Sequence, residues 1–473
     1  MTGPDPAASM LLGPMFATRD MRAVFADRAT LGRMLAVEAA LARAQAAVGV
    51  IPRKAAAPIE AACNGARFDA EAIGAAAQGA GNIASPLVKA LTAAVAKRDA
   101  DAARFVHWGA TSQDVIDTAT VLAIREAARL LARDLDRAIK GLAATARRHR
   151  KKPMAARTWL QQALPITFGL KAARWAAMLA RVREQLIEAT DAASVLQFGG
   201  AAGTLASLGT KGPAVARRLA NELDLALPDA PWHAERDRIA AVAVTLGIVI
   251  GAAGKVARDV SLLMQTEVGE AFEPPAPGRG GSSTLPHKRN PVGAAQILAA
   301  ATLAPGLVAG MLSGMVQEHE RALGGWQAEW VALPQLFLLA SGVAARLAEI
   351  GKGLEVNVER MRANLDATGG LIMGEAVQMA LGEKLGRLEA HDLLEAASKR
   401  AASEGSHLKD VLAEIPAIAE AIPVDRLNSL LDPLAYLGSA EEFIERALKS
   451  VDRTLAGSQS APKKPKQSKK RKR

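Results

Sequence analysis

Aromatic side chains and cysteine are scarce in this sequence. Phe, Trp and Tyr make up 3% of its 473 residues, with a single tyrosine, Tyr436, although half of the chain is hydrophobic. The apolar content is therefore mostly Ala, Leu, Val and Ile, in long stretches shared with Arg and Glu. Side chains of this kind lose little rotamer freedom in a helix, so the composition predicts an all-α protein. So much apolar surface has to be buried, which excludes a disordered chain. One cysteine, Cys63, excludes an intramolecular disulfide and a multi-cysteine zinc site, and it points to a reducing, cytoplasmic compartment. Residues 1–18 contain no Lys or Arg, so the basic start of a secretory signal is missing. The longest uncharged apolar run, Ile239–Gly254, lies between Arg238 and Lys255. It is shorter than the roughly 20 residues of a bilayer span and reads as a buried core helix, so no membrane partner is expected.

The net charge of +11 suggests a nucleic-acid partner until it is localised. Eight Lys and Arg and no acid lie between Lys463 and Arg473, so residues 1–462 carry only +3. The body is nearly balanced. A tail without interleaved aromatics offers weak, salt-sensitive polyanion contacts at most.

At about 150 residues per domain the length suggests three domains. Residues 1–106 read as short helices broken by Pro and Gly, an N-terminal helical domain. From His107 the texture changes. Ile116, Ala119, Ala123, Ala127, Leu131, Leu135, Ala138 and Leu142 recur every three or four positions, one face of a helix about 30 residues long. Similar stretches at about 166–195, 236–269, 292–322 and 330–352 predict a long central bundle over 107–354. Shorter helices over 355–450 form a third domain, and 451–473 reads as a disordered basic tail. No convincing set of strands is visible.

Between two long helices, residues 272–291 (FEPPAPGRGGSSTLPHKRNP) form a Pro- and Gly-rich loop. Such a segment is either a solvated linker or a functional loop. His107-Trp108-Gly109-Ala110-Thr111-Ser112-Gln113-Asp114 opens the first long helix. Thr111 or Ser112 caps it and Asp114 completes a capping box, or the same helix end receives a carboxylate. Both readings remain open on the residues alone. His233 and His319 sit among charges and suit ion-pair networks, and His149 in the basic run 147–152 suits a solvated helix end. No His/carboxylate spacing suggests a metal, and Gly199–Gly203 does not fit a dinucleotide loop.

Residues 281–290, GSSTLPHKRN, resemble the signature loop of the fumarase/aspartase superfamily, G-S-S-x-M-P-x-K-x-N, with Leu285 in the Met position. Residues 107–114 resemble its H-x-G-x-T-S-x-D segment. Residues 157–169, RTWLQQALPITFG, resemble R-T-H-x-Q-x-A-x-P-x-T-F-G, with Trp159 in place of the histidine. Residues 198–204, 231–238 and 317–330 are similar to bacterial 3-carboxy-cis,cis-muconate cycloisomerases. The resemblance covers about residues 15–450.

It implies an all-α fold in three parts and a homotetramer whose active sites are shared between subunits. It implies Ser282 as the catalytic acid/base, and Lys288 and Asn290 at the carboxylate where charge accumulates. His107 would join the site, with Thr111, Ser112, Gln113, Gln161, Ser283 and Arg321 binding a small tricarboxylate. No cofactor and no metal are implied. In relatives that expel an amine, the histidine missing here protonates the leaving group. A carboxylate, whose conjugate acid has a pKa of about 4, needs no such acid. Trp159 therefore fits lactone formation from a muconate better than elimination of fumarate from adenylosuccinate, the alternative enzyme reading. Nucleic-acid binding through the tail is the alternative of another class.

Overall fold

A computed structural model describes residues 9–457. Helix α1 (Asp27–Val48) packs on Arg53–Gly65, and the helices Ala70–Ala80 and Ala84–Ala96 complete an N-terminal unit. Leu35, Ile59, Leu87 and Leu91 are buried there. The other side of α1 places Ala40, Leu41 and Ala44 in the core of the central bundle. One helix thus joins two cores.

The bundle consists of α2 (Ser112–Arg148), α3 (Phe168–Ala193), α4 (Asp237–Leu263), α5 (Val292–Ser313) and α6 (Gly325–Gly353). The periodic face expected in the sequence is the buried stripe of α2, where Leu131, Leu135 and Leu142 are inaccessible to solvent. Each contributes about 2 kcal/mol by leaving water. Gly141 of α2 lies against Gly351 of α6, and a Cβ there would sit 2.5 Å from the Gly351 carbonyl carbon. The two longest helices can approach only because both residues lack side chains.

After α6, the helices Gly374–Leu385, Arg387–Glu404, Leu408–Ala413, Pro416–Ala421 and Val424–Leu430 enclose a separate small core around Leu381, Leu394, Leu408 and Ile418. Helix α7 (Ala440–Gly457) then returns to pack on α3 and α2. This corrects the expected start of the tail. Residues 451–457 are the last turns of α7, with Val451 and Leu455 buried in the bundle core and the Thr454 hydroxyl 2.5 Å from Glu184 Oε1. Residues 458–473, which carry the rest of the expected tail, lie outside the described residues.

Strands are present as well. β1 (Pro153–Thr158) and β2 (Gln161–Thr167) form an antiparallel hairpin between α2 and α3. β3 (Ala271–Phe272) pairs with β4 (Glu355–Val356), tying the start of the loop 272–291 to the end of α6.

Ile239–Gly254 is not the longest uncharged stretch, because α5 carries no charge over 22 residues. By length and composition α4, α5 and α6 could each cross a membrane. Helices α4 and α6 spend most of their apolar surface on the core, but α5 does not. Leu303 and Leu312 of α5 are exposed, as are Ile248 of α4 and Val331 of α6.

Candidate active site

The N-terminus of α2 gathers the larger group of expected site residues. Thr111 is the N-cap, and its N–H donates to Asp114 Oδ2 at 3.0 Å, the returning half of a capping box. Its hydroxyl accepts from Arg321 Nη1 at 2.7 Å. The same guanidinium reaches Ser112 Oγ through Nη2 and Gln113 Oε1 through Nε, both at 3.3 Å. The cap is therefore formed, and the same hydroxyl is left in contact with a guanidinium. All three acceptors are neutral, and Arg321 makes no ion pair among the described residues. An unneutralised guanidinium beside the positive end of a helix dipole is a receptor for an anion.

His107 precedes this helix end in a left-handed conformation, φ 57°, followed by Gly109 at φ 71°. A Cβ on Gly109 would lie 2.5 Å from Leu208, so conformation and space both require glycine. His107 Nδ1 is 2.6 Å from Glu38 Oε1, and Glu38 on α1 is 1% exposed. Burial alone would lower the pKa of His107. The charge and hydrogen bond of Glu38, helped by Asp114, outweigh burial and raise it.

Beneath this surface lies a buried polar network. Asp114 accepts from Gly199 N–H and Gly200 N–H at 2.9 Å, Gln197 Nε2 at 3.3 Å and His233 Nε2 at 2.8 Å, besides Thr111. One helical turn on, Asp117 receives both terminal nitrogens of Arg236, Trp326 Nε1 at 2.9 Å and Gln113 Nε2 at 3.2 Å. Arg236 also pairs with Glu329, at 2.9 and 2.6 Å. Burial raises the pKa of Glu329, and Arg236 opposes this. Gln113 is thus held on both sides, by Arg321 at its oxygen and by Asp117 and the His233 carbonyl at its nitrogen.

The other expected residues lie elsewhere on the chain. Gln161 is exposed at the start of β2, next to a hairpin tip formed by Trp159 and Leu160. Both tip residues are left-handed, at φ 51° and 66°, and Trp159 is 98% exposed. Arg157 anchors this hairpin by two 2.8 Å bonds to the buried Glu270, just before the loop. The loop is clamped at its base. Glu273 accepts from Gly293 N–H and Ala294 N–H at the start of α5, Arg279 bridges Glu273 and Glu349, and Arg289 bonds Glu355 over the ring of Phe272. At its tip, Ser282 Oγ accepts from Leu285 N–H at 3.1 Å, and Asn290 N–H donates to Gly280 O at 2.8 Å. Ser283 and Lys288 face solvent, and Lys288 makes no ion pair among the described residues. No hydrogen bond or ion pair among the described residues joins Ser282, Lys288 or Gln161 to the His107–Arg321 group. One chain therefore carries the expected site in separate pieces.

A lyase family model matches residues 15–306, and an adenylosuccinate lyase C-terminus model matches residues 370–447. A 3-carboxy-cis,cis-muconate cycloisomerase of Bradyrhizobium diazoefficiens is 58% identical over 94% of this chain and 99% of its own. One from Pseudomonas aeruginosa is 51% identical over 94% and 97%. The crystal structure of 3-carboxy-cis,cis-muconate lactonizing enzyme from Pseudomonas putida superposes with a TM-score of 0.89, at 47% identity over 94% of this chain and all of that one. The chain belongs to this cycloisomerase family, within the fumarase/aspartase superfamily.

The segments that carry the cycloisomerase resemblance now have a physical role. Residues 198–204, 231–238 and 317–330 contribute Gly199, Gly200, His233, Arg236, Arg321, Trp326 and Glu329, all converging on the first two turns of α2. His233 joins the expected ion-pair network. His319 does not: it lies in the exposed connection between α5 and α6 and makes no ion pair among the described residues. His149 is not solvated either. It is 9% exposed, its ring packs edge-to-face with Phe168 at the start of α3, and its carbonyl accepts from Gly169 N–H. Sequence reasoning missed Glu38, Asp117, Glu270 and Glu273 as supports. Only Glu38 carries a signal, an acid whose helical neighbours Met34, Leu35, Leu41 and Ala42 are all apolar. The described residues also hold one surface group of metal-ligand types, His391, Asp392 and Glu395. There Glu395 is paired with Lys399 and His391 with Asp392.

Proposed function

We propose that the protein converts 3-carboxy-cis,cis-muconate to 4-carboxymuconolactone, a step in the protocatechuate branch of aromatic breakdown (the β-ketoadipate pathway). The observation that carries this reading is Arg321. It lies unneutralised at the start of α2 against three neutral acceptors, a receptor for one carboxylate of a polyanionic substrate. A second substrate carboxylate adds through oxygen to the conjugated double bond. The electron pair moves onto the neighbouring carboxylate as an enediolate, which Lys288, Asn290 and loop N–H groups stabilise. Ser282 delivers a proton to the carbon and is reprotonated from solvent. The substrate carries its own electron sink, so the reaction asks for no cofactor. Trp159 at the hairpin tip leaves that place without a general acid, which suits a carboxylate nucleophile.

In this reading Thr111, Ser112, Gln113 and Arg321 of one subunit meet Gln161 of a second and Ser282, Ser283, Lys288 and Asn290 of a third in a cytoplasmic homotetramer. Two features of a single chain support this. Its site lies in separate pieces, and α5 turns Leu303 and Leu312 to solvent, an apolar face of the kind that marks an interface. The strained, exposed Trp159–Leu160 tip is a further element built to meet a partner.

The test is the ultraviolet absorbance of 3-carboxy-cis,cis-muconate with purified protein in EDTA. The diene band should disappear, and Ser282→Ala should slow its loss by about 10²–10⁴-fold while the fold is retained. No loss with folded wild-type protein rejects the activity. Near-normal turnover by the variant removes Ser282 from the proton transfer.

A further inference from the structure

Two polar residues lie fully buried on the otherwise apolar inner face of α1. Glu38 is 1% exposed and Gln45 is inaccessible to solvent. They are seven positions, two helical turns, apart and so share one face. Both point at the same short segment. Glu38 Oε1 is 2.6 Å from His107 Nδ1, and Gln45 Nε2 donates to the Trp108 carbonyl at 2.6 Å. Neither residue belongs to a segment that the sequence marks as functional. A buried carboxylate is strongly destabilising unless it is paired, so its place here demands a partner.

The partner is a ring in an unfavourable backbone conformation. A non-glycine residue at φ 57° is strained, and surrounding contacts must hold it there. The Glu38 bond turns Nδ1 inward, and Nε2, on the opposite edge of the ring, makes no hydrogen bond among the described residues. On the other flank, Gly109 and Thr111 continue into the helix end where Arg321 waits.

We propose that Glu38 is a positioning residue of the active site: its hydrogen bond to Nδ1 fixes the His107 ring with Nε2 presented to a substrate carboxylate. The inference rests on the function proposed above and names a residue that acts through another. Protonated on both nitrogens, the ring would be a cationic donor, and two acids favour that form. Glu38 faces it from α1 and Asp114 from α2, the two charged groups that raise its pKa against burial. A dyad of this form needs no movement of α1, because Glu38 already sits in the core shared by the N-terminal unit and the bundle.

The experiment compares wild type, Glu38→Gln, Glu38→Asp, His107→Asn and the double variant Glu38→Gln/His107→Asn. Gln keeps the shape and an acceptor oxygen but loses the charge. The first readout is the NMR titration of ring-labelled histidines, seven in the chain, with the His107 signal assigned by its loss in His107→Asn. In Glu38→Gln it should titrate at least one pH unit lower than in wild type. The second readout is the pH profile of kcat/KM. Its alkaline limb should move to lower pH by a similar amount, with an overall loss of about 10–100-fold, partly recovered in Glu38→Asp. In the double variant, Glu38→Gln should cost less than twofold beyond His107→Asn, because its effect passes through the ring.

An unmoved His107 titration overturns the proposal, whatever the activity. So does full additivity of the two substitutions, which would make Glu38 a structural residue with its own separate effect. The titration needs no substrate. If wild-type protein left the muconate untouched, the activity reading would fail while the Glu38–His107 linkage was still read directly.

Discussion

Asp114→Asn removes one charge and one acceptor from the centre of the network under the site. The carboxylate receives five N–H groups, three on Oδ1 (Gly199, Gln197 and His233) and two on Oδ2 (Thr111 and Gly200). An asparagine must place its NH₂ in one of these positions, facing donors with a donor. It will choose the Oδ2 position, which sacrifices two bonds rather than three. Each buried donor left unsatisfied costs about 1–3 kcal/mol, so the expected loss is roughly 4 kcal/mol. For a chain of this size that corresponds to an apparent Tm lower by about 4–8 °C at a fixed scan rate. Function should suffer more than stability. The two orphaned N–H groups belong to Thr111, the N-cap, and to Gly200, which packs under Gly109. Displacing the helix end by ~1 Å costs on the order of 10²-fold in turnover. Circular dichroism melting and the ultraviolet assay read both quantities. A variant that melts within 1 °C of wild type with unaltered kcat/KM would refute this account of the network.

Two further outcomes follow from the same geometry. Arg321→Lys keeps the charge but loses the planar fork that spans Thr111, Ser112 and Gln113, so kcat/KM should fall about 10–100-fold, chiefly through a higher KM. A drop confined to kcat would contradict ground-state binding of a carboxylate. Cys63 is buried, and burial, then Glu38 and Glu60, push its thiol up to about 12. A thiol reagent at pH 8 should therefore leave the native protein unmodified for hours and label it fully in denaturant; rapid native labelling would show that the pocket opens.

The helical framework was legible because period and composition agree over long stretches, most clearly along α2. The hairpin was not. Its tip is Trp159–Leu160, without the Gly, Asn or Asp that normally marks a two-residue turn, and its strands do not alternate cleanly. The end of α7 left a signal that went unread: Ile444, Leu448, Val451 and Leu455 continue the helical spacing into the start of the expected tail. Around the proposed site, the motif residues carry a sequence signal and most of the buried acids that support them do not. Asp117 looks like an ordinary surface acid on an amphipathic helix, and Glu38 is a lone acid among apolar neighbours with no partner named by its own helix. Only the packing of α1, and of residues 231–238, against α2 turns them inward.

The substrate proposed here carries three carboxylates, and the chain's charge balance around its site fragments matches that excess. Most cations in these regions already have partners: Arg157 with Glu270, Arg236 with Asp117 and Glu329, Arg279 with Glu273 and Glu349, Arg289 with Glu355. These ties build the scaffold and cannot be given up to a ligand without stranding a buried or half-buried acid. Arg321 and Lys288 are different. Each stands at a motif, each lacks an acid among the described residues, and they lie on separate pieces of one chain. A polyanion bound between such pieces from neighbouring subunits would neutralise both at once. The same requirement explains why the loop's base is clamped by three ion pairs while its tip stays open. A tip already neutralised within its own chain would have nothing left with which to bind the substrate.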